Sequence, residues 1–162
     1  MRNLGTRVTR LKELICERHT PFGACTEIAQ RCPHLTQLVL NLKDDTTQET
    51  YPLGAALKTT WTRLLKLELD FTASRDGDVL LHFHLPEMLL LQELTLHLGM
   101  SYEASEEEEA DSVCVHLNGA MPCLQFLDID SDFDISMYIS EAWCPSQLVY
   151  CGLFVSLFCN GK

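Results

Sequence analysis

Apolar residues recur along the chain in a six-position pattern, Leu-x-x-Leu-x-apolar. Its copies are Leu11/Leu14/Cys16, Leu35/Leu38/Leu40, Leu64/Leu67/Leu69, Leu91/Leu94/Leu96 and Leu124/Leu127/Ile129, with a weaker copy at Leu148/Cys151/Leu153. The first leucines are separated by 24, 29, 27, 33 and 24 residues. Within each copy the last three positions alternate apolar, polar, apolar, which is the period of a strand with one buried face. The pattern therefore predicts five to six short strands, each followed by a return segment. Residues 24–31 place Ala24, Ile28 and Ala29 on one side, and residues 53–61 place Leu53, Ala56, Leu57 and Trp61 on one helix face. Residues 113–121 place Val113, Leu117 and Met121 in the same way, so a helix is expected there too. Residues 79–91 are apolar without a clear period and are broken by Pro86, and an irregular return is expected. Pro33, Pro122 and Pro145 fall shortly before three of the strands. Proline cannot continue a helix and biases its predecessor toward extended backbone, so it separates return from strand.

No single unit of 24 to 33 residues can bury its own apolar face, so neighbouring units are expected to share one core. The 162 residues, 46% hydrophobic and 22% charged, are enough for one domain. The fold class expected is α/β, with a curved parallel sheet of five to six short strands in a single domain over 1–162. Residues 101–112 fall in the longest interval and read as an acidic loop insertion, carrying Glu103, Glu106 to Glu109 and Asp111. A solvated loop and an acidic docking loop for a basic peptide are both readings of that run. The chain starts close to one unit and ends just after another with no polar cap in view. That leaves open a longer solenoid of which it is a fragment.

The run Cys32-Pro-His-Leu-Thr-Gln-Leu-Val-Leu-Asn-Leu42 resembles the helix-end, proline, strand unit of intracellular leucine-rich-repeat proteins of the F-box-associated type. The resemblance extends from about Leu11 to Leu153. It implies a solenoid whose strands line a concave face used for protein recognition. It also implies an alternative, the substrate-recognition part of a ubiquitin-ligase receptor. The family's usual Asn or Cys after the strand is replaced here by His19, Lys43, Thr72, Gly99 and Asp132, and no F-box segment is visible. Without an asparagine ladder, the loops must satisfy their backbone groups in another way.

Residues between the buried leucines project from such a sheet in columns. One column reads Glu13, Gln37, Lys66, Glu93, Phe126, Tyr150; the next Ile15, Val39, Glu68, Thr95, Asp128, Gly152; the third Glu17, Asn41, Asp70, His97, Asp130, Phe154. Glu68, Asp70, Glu93, Asp128 and Asp130 make the middle acidic, and Phe126, Tyr150 and Phe154 make one edge aromatic. Acids that steer a partner beside aromatic anchors suit a protein-binding surface, and Glu68, Asp70, Glu93, Asp128, Asp130, Phe126 and Tyr150 are its candidate residues. The plainer reading is a solvated acidic surface, with the aromatic edge packing against a further repeat.

A formal net charge of −11 disfavours nucleic acid and anionic membranes and favours a protein partner with a basic surface. The longest apolar run, 148–159, is shorter than the roughly 20 residues of a membrane helix. The N-terminus carries charge and lacks an apolar signal segment, so the eight cysteines are expected as reduced thiols in a cytoplasmic or nuclear protein. Asp128 to Asp134 alternates like a calcium loop, but Phe133 and Ile139 stand where glycine and a bidentate glutamate are needed. His82, His84 and His97 lack the spacing of a zinc site. No phosphate loop, serine elbow or dinucleotide fingerprint occurs, so neither cofactor, metal nor catalytic residue is expected. A small enzyme with an unrecognised cysteine or histidine site is the alternative from a different class.

Overall fold

The computed structural model describes residues 8, 10–43, 51–73, 81–100, 113–117, 119–131, 135–141, 143 and 145–153. In chain order the elements are β1 (Glu13–Pro21), α1 (Ala24–Arg31), β2 (Gln37–Lys43), α2 (Tyr51–Thr59), β3 (Lys66–Ala73), β4 (Leu81–Leu85), β5 (Glu93–Met100), β6 (Val113–Leu117), β7 (Phe126–Ser131), β8 (Ile135–Ile139) and β9 (Tyr150–Leu153). The fold is α/β, built on a six-stranded parallel sheet in the order β1-β2-β3-β5-β7-β9. Each strand pairs with the strand of the next unit in sequence. A second parallel sheet, in the order β4-β6-β8, holds three of the return segments.

The leucine pattern sets the register. Leu38, Leu67, Leu94 and Leu127 lie opposite one another in turn, as do Leu40, Leu69, Leu96 and Ile129. All eight are almost wholly buried. Alternation sends the intervening residues to the other face, where Val39, Glu68, Thr95 and Asp128 stay partly exposed. Against the buried face lies a second layer in which α1 contacts α2, α2 contacts β4, and β4, β6 and β8 follow. From α1 it contributes Cys25 and Ala29, from α2 Leu53, Ala56 and Leu57, and from the smaller sheet Leu85, Val115, Leu117 and Met137. One continuous core runs between the layers.

Two return segments differ from expectation. Residues 113–117 form β6 rather than a helix, and residues 81–85 form β4 rather than an irregular segment. The spacing of four between Val113 and Leu117 fits a helix face, but four is also a multiple of the strand period. Val113, Val115 and Leu117 alternate, and β-branched residues favour the pleated form. Pro86 ends β4 rather than interrupting it. By contrast, α1 forms at 24–31 as the helical spacing predicts, and α2 forms at Tyr51–Thr59, two residues earlier than the expected 53–61, so Trp61 lies beyond its end.

A recurring turn joins return to strand. Leu64, Leu91, Leu124 and Leu148 donate their N–H groups to the carbonyls of Trp61, Met88, Met121 and Pro145, three residues back. Pro33 and Pro122 sit one residue into their turns, where a fixed φ near −65° fits. Pro145 stands one place earlier in its unit, so the three prolines are not fully in phase. Trp61, Met88 and Met121 at the first position and their leucines at the fourth are buried. The Trp61 indole N–H also donates to the Cys32 carbonyl at 3.1 Å, tying one unit to the unit before.

Immediately after each turn, one carbonyl accepts two N–H groups from the next unit. Lys12 O accepts from Thr36 and Gln37, Thr36 O from Leu65 and Lys66, Leu65 O from Gln92 and Glu93, Gln92 O from Gln125 and Phe126, and Gln125 O from Val149 and Tyr150. This backbone ladder runs across the start of the strands, one carbonyl per unit. Gly119 is buried in the turn after β6, and a β-carbon there would lie 2.0 Å from the Glu87 nitrogen. Only glycine lets these two turns approach so closely.

Candidate protein-binding face

The solvent-facing side of the six-stranded sheet carries the predicted columns. Gln37, Lys66, Glu93, Phe126 and Tyr150 are paired positions on successive strands, preceded by Glu13 on β1. Ile15, Val39, Glu68, Thr95, Asp128 and Gly152 form the second row. Asn41, Asp70, His97 and Asp130 form the third. All seven candidate residues therefore lie on one face. Glu17 does not join the third row, because the β1–β2 register shifts between Cys16 and Thr20. His19 takes its place, with Nδ1 donating to Asn41 Oδ1 at 2.8 Å, and Asn41 Nδ2 donates to Asp70 Oδ2 at 3.4 Å. Phe154, the acidic run at 101–112, Asp132 to Asp134 and the apolar run beyond Leu153 lie outside the described residues.

The acids of the face are not equivalent. Lys66 Nζ lies 3.4 Å from Glu93 Oε2 and 3.9 Å from Glu68 Oε2, so one cation serves two carboxylates. These side chains are a third to a half exposed, and such pairs contribute about 0–1 kcal/mol. Asp70 accepts the Asn41 amide. Asp128 and Asp130 stand on β7, and among the described residues no ion pair involves either. No Lys or Arg occurs between Arg75 and Lys162. Residues 1–75 hold eleven Lys and Arg against eight Asp and Glu, whereas residues 76–162 hold one against fifteen. This split was open to a count by halves, and the total of −11 conceals it.

Beside Asp128 the aromatic edge is ordered. The Phe126 and Tyr150 rings stack at 4.5 Å with 10° between their planes. Gly152 leaves room for what surrounds it. A β-carbon there would meet Asp128 Oδ1 at 2.4 Å and the Tyr150 hydroxyl at 2.7 Å. The carboxylate and the phenol thus converge over the glycine. Near the far ends of the strands, Asp70, His97, Leu98, Gly99, Asp130 and Ser131 line a shallow, open depression of about 160 Å³. Small-molecule sites usually enclose roughly 300–1,000 Å³.

The histidines named from sequence are divided. His82 and His84 belong to β4 in the smaller sheet, and His97 belongs to β5 in the larger. His84 stacks on His116 at 4.3 Å, and His116 on Tyr138 at 4.7 Å, forming an aromatic row across β4, β6 and β8. His116 and Tyr138 were not among the candidates, because the helical reading of 113–121 hides β6 and no strand was expected at β8. Among the described residues, no three His, Cys, Asp or Glu are grouped to hold a metal ion. Cys16, Cys25, Cys32, Cys123 and Cys151 are free thiols. Burial pushes the Cys25 thiol up to about 11 and raises that of Cys16, the direction opposite to an activated nucleophile. No described helix is long and apolar enough to cross a membrane.

No protein-family model matches the chain, and neither a curated protein nor a solved structure matches it.

Proposed function

We propose that the chain is a leucine-rich-repeat solenoid acting as a non-catalytic scaffold that binds a basic protein surface on the open face of its larger sheet. The observation that carries this reading is the one-sided burial of a parallel sheet. Parallel sheets are ordinarily covered on both faces, and their strands are then apolar throughout. Here the strands alternate. Leu38, Leu67, Leu94 and Leu127 pack inward, while Val39, Glu68, Thr95 and Asp128 face out. A sheet whose outward residues stay at least partly exposed from β1 to β7 presents a broad surface with a fixed spacing between columns. Carboxylates on it attract a basic partner, and the stacked aromatics supply desolvated contact area.

The reading is tested by pull-down with the wild-type chain beside a Glu68→Lys, Asp70→Lys, Asp128→Lys variant, read by mass spectrometry. A basic partner captured by the wild type should be lost from the variant, and its capture should weaken with salt. Equal capture by both would assign binding to another surface.

A further inference from the structure

On the open face Lys66 is paired with Glu68 and Glu93, whereas among the described residues no ion pair involves Asp128, which stands beside stacked aromatic rings as a guanidinium site requires. We propose that the Phe126–Tyr150 stack together with Asp128 receives an arginine side chain of the partner, rather than basic charge in general. This rests on the reading of the sheet face as a surface for a basic protein.

Three observations converge on arginine. Aligned strands hold the rings of Phe126 and Tyr150 in contact, and Tyr150 is 45% exposed, so an aromatic surface is open at the sheet's edge. Asp128 lies two residues along β7 from Phe126, on the same face, with its carboxylate brought toward the Tyr150 hydroxyl over Gly152. Among the described residues, the ion pairs of the face are those of Lys66 with Glu68 and Glu93, and none involves Asp128. A partner's cation would meet Asp128 without displacing either pair.

Guanidinium and ammonium differ in how they meet such a place. A guanidinium is planar and weakly hydrated, and it can lie on an aromatic face while its edge donates to a carboxylate. An ammonium is a strongly hydrated point charge that gains less from the ring. A site built of carboxylate alone would distinguish the two weakly. Adding the stacked rings should make arginine preferred.

The test uses fluorescence anisotropy with labelled hexa-arginine, hexa-lysine and hexa-glutamate peptides on the full chain. The wild type should bind hexa-arginine roughly fivefold or more tighter than hexa-lysine. Tyr150→Leu should remove most of that preference while leaving hexa-lysine binding nearly unchanged. Asp128→Asn should weaken both peptides, and Glu27→Gln on α1, away from the sheet face, should change either by no more than about twofold, as expected for an exposed charge. Equal binding of the two basic peptides by the wild type would overturn the arginine site and leave the basic-partner reading standing. Binding of neither above hexa-glutamate would overturn both. Asp128→Asn is nearly isosteric, so if Tyr150→Leu shifts the thermal transition, the affinity of Asp128→Asn for hexa-arginine decides the matter. An affinity still at the wild-type value there would contradict the site.

Discussion

The two halves of the molecule solve the same packing problem with different return elements. Up to β3 the strands return through α1 and α2; beyond it they return through β4, β6 and β8. The inner wall is indifferent to the change. Leu67 and Leu94 flank it, and both are fully buried at equivalent register. What the returns must supply is apolar volume in the right place, and Ala56 and Leu57 on a helix or Leu85 and Leu117 on strands both supply it. The charge along the chain differs more: residues 1–75 hold eleven Lys and Arg against eight Asp and Glu, and residues 76–162 hold one against fifteen. The sheet is thus a repeating frame laid on two stretches of sequence of unlike charge.

The strongest way to break this comparison is in the shared core. Leu67→Ala and Leu94→Ala, one on each side of the change in return element, should each cost about 2–5 kcal/mol in chemical denaturation. Similar losses in a single transition would show one core, and a tolerated change at either position would contradict the register. Next come the glycines. Gly119→Ala should cost about 1–3 kcal/mol, because the added methyl meets the backbone of Glu87. Gly54→Ala in α2 meets only the His84 carbonyl, at 3.4 Å, and should be neutral or stabilising by up to about 1 kcal/mol. The sign difference between them should be visible in thermal melts.

A smaller effect should separate the return layers. His116→Ala removes two ring contacts from the β4-β6-β8 row and should cost about 1–2 kcal/mol in thermal stability beyond the area lost. A change within about 0.5 kcal/mol would make the row a surface ornament rather than a support. Smallest in energy is thiol labelling at pH 8 followed by mass spectrometry. Exposed Cys151 should react within the native state, and Cys25 only after denaturation. Because folding raises the Cys25 thiol from 9.0 to about 11, its contribution to stability is complete below about pH 9. It is lost as pH rises from there through 11.

The strand register was legible residue by residue, because period-two alternation and a repeated leucine leave one way to align Leu38, Leu67, Leu94 and Leu127. The seven candidate residues fell on one face for the same reason. The returns were legible only where length and spacing excluded a strand. At 113–117 the i, i+4 pair Val113 and Leu117 satisfies both periods, and the decisive residue was Val115 between them. Glu17 was misplaced because nothing local marks the register shift in β1 that brings His19 to Asn41. The stack of His84, His116 and Tyr138 depends on strands distant in sequence, and alternation within one strand says nothing of its neighbours.

The most direct test of the account is a two-dimensional NMR titration of the full chain with hexa-arginine. Shifts should concentrate at Glu93, Thr95, Phe126, Asp128 and Tyr150, fade toward Ile15 and Val39, and collapse in Asp128→Asn. Shifts confined to the acidic run at 106–109, or spread over α1 and α2, would contradict the assignment of recognition to the open sheet face.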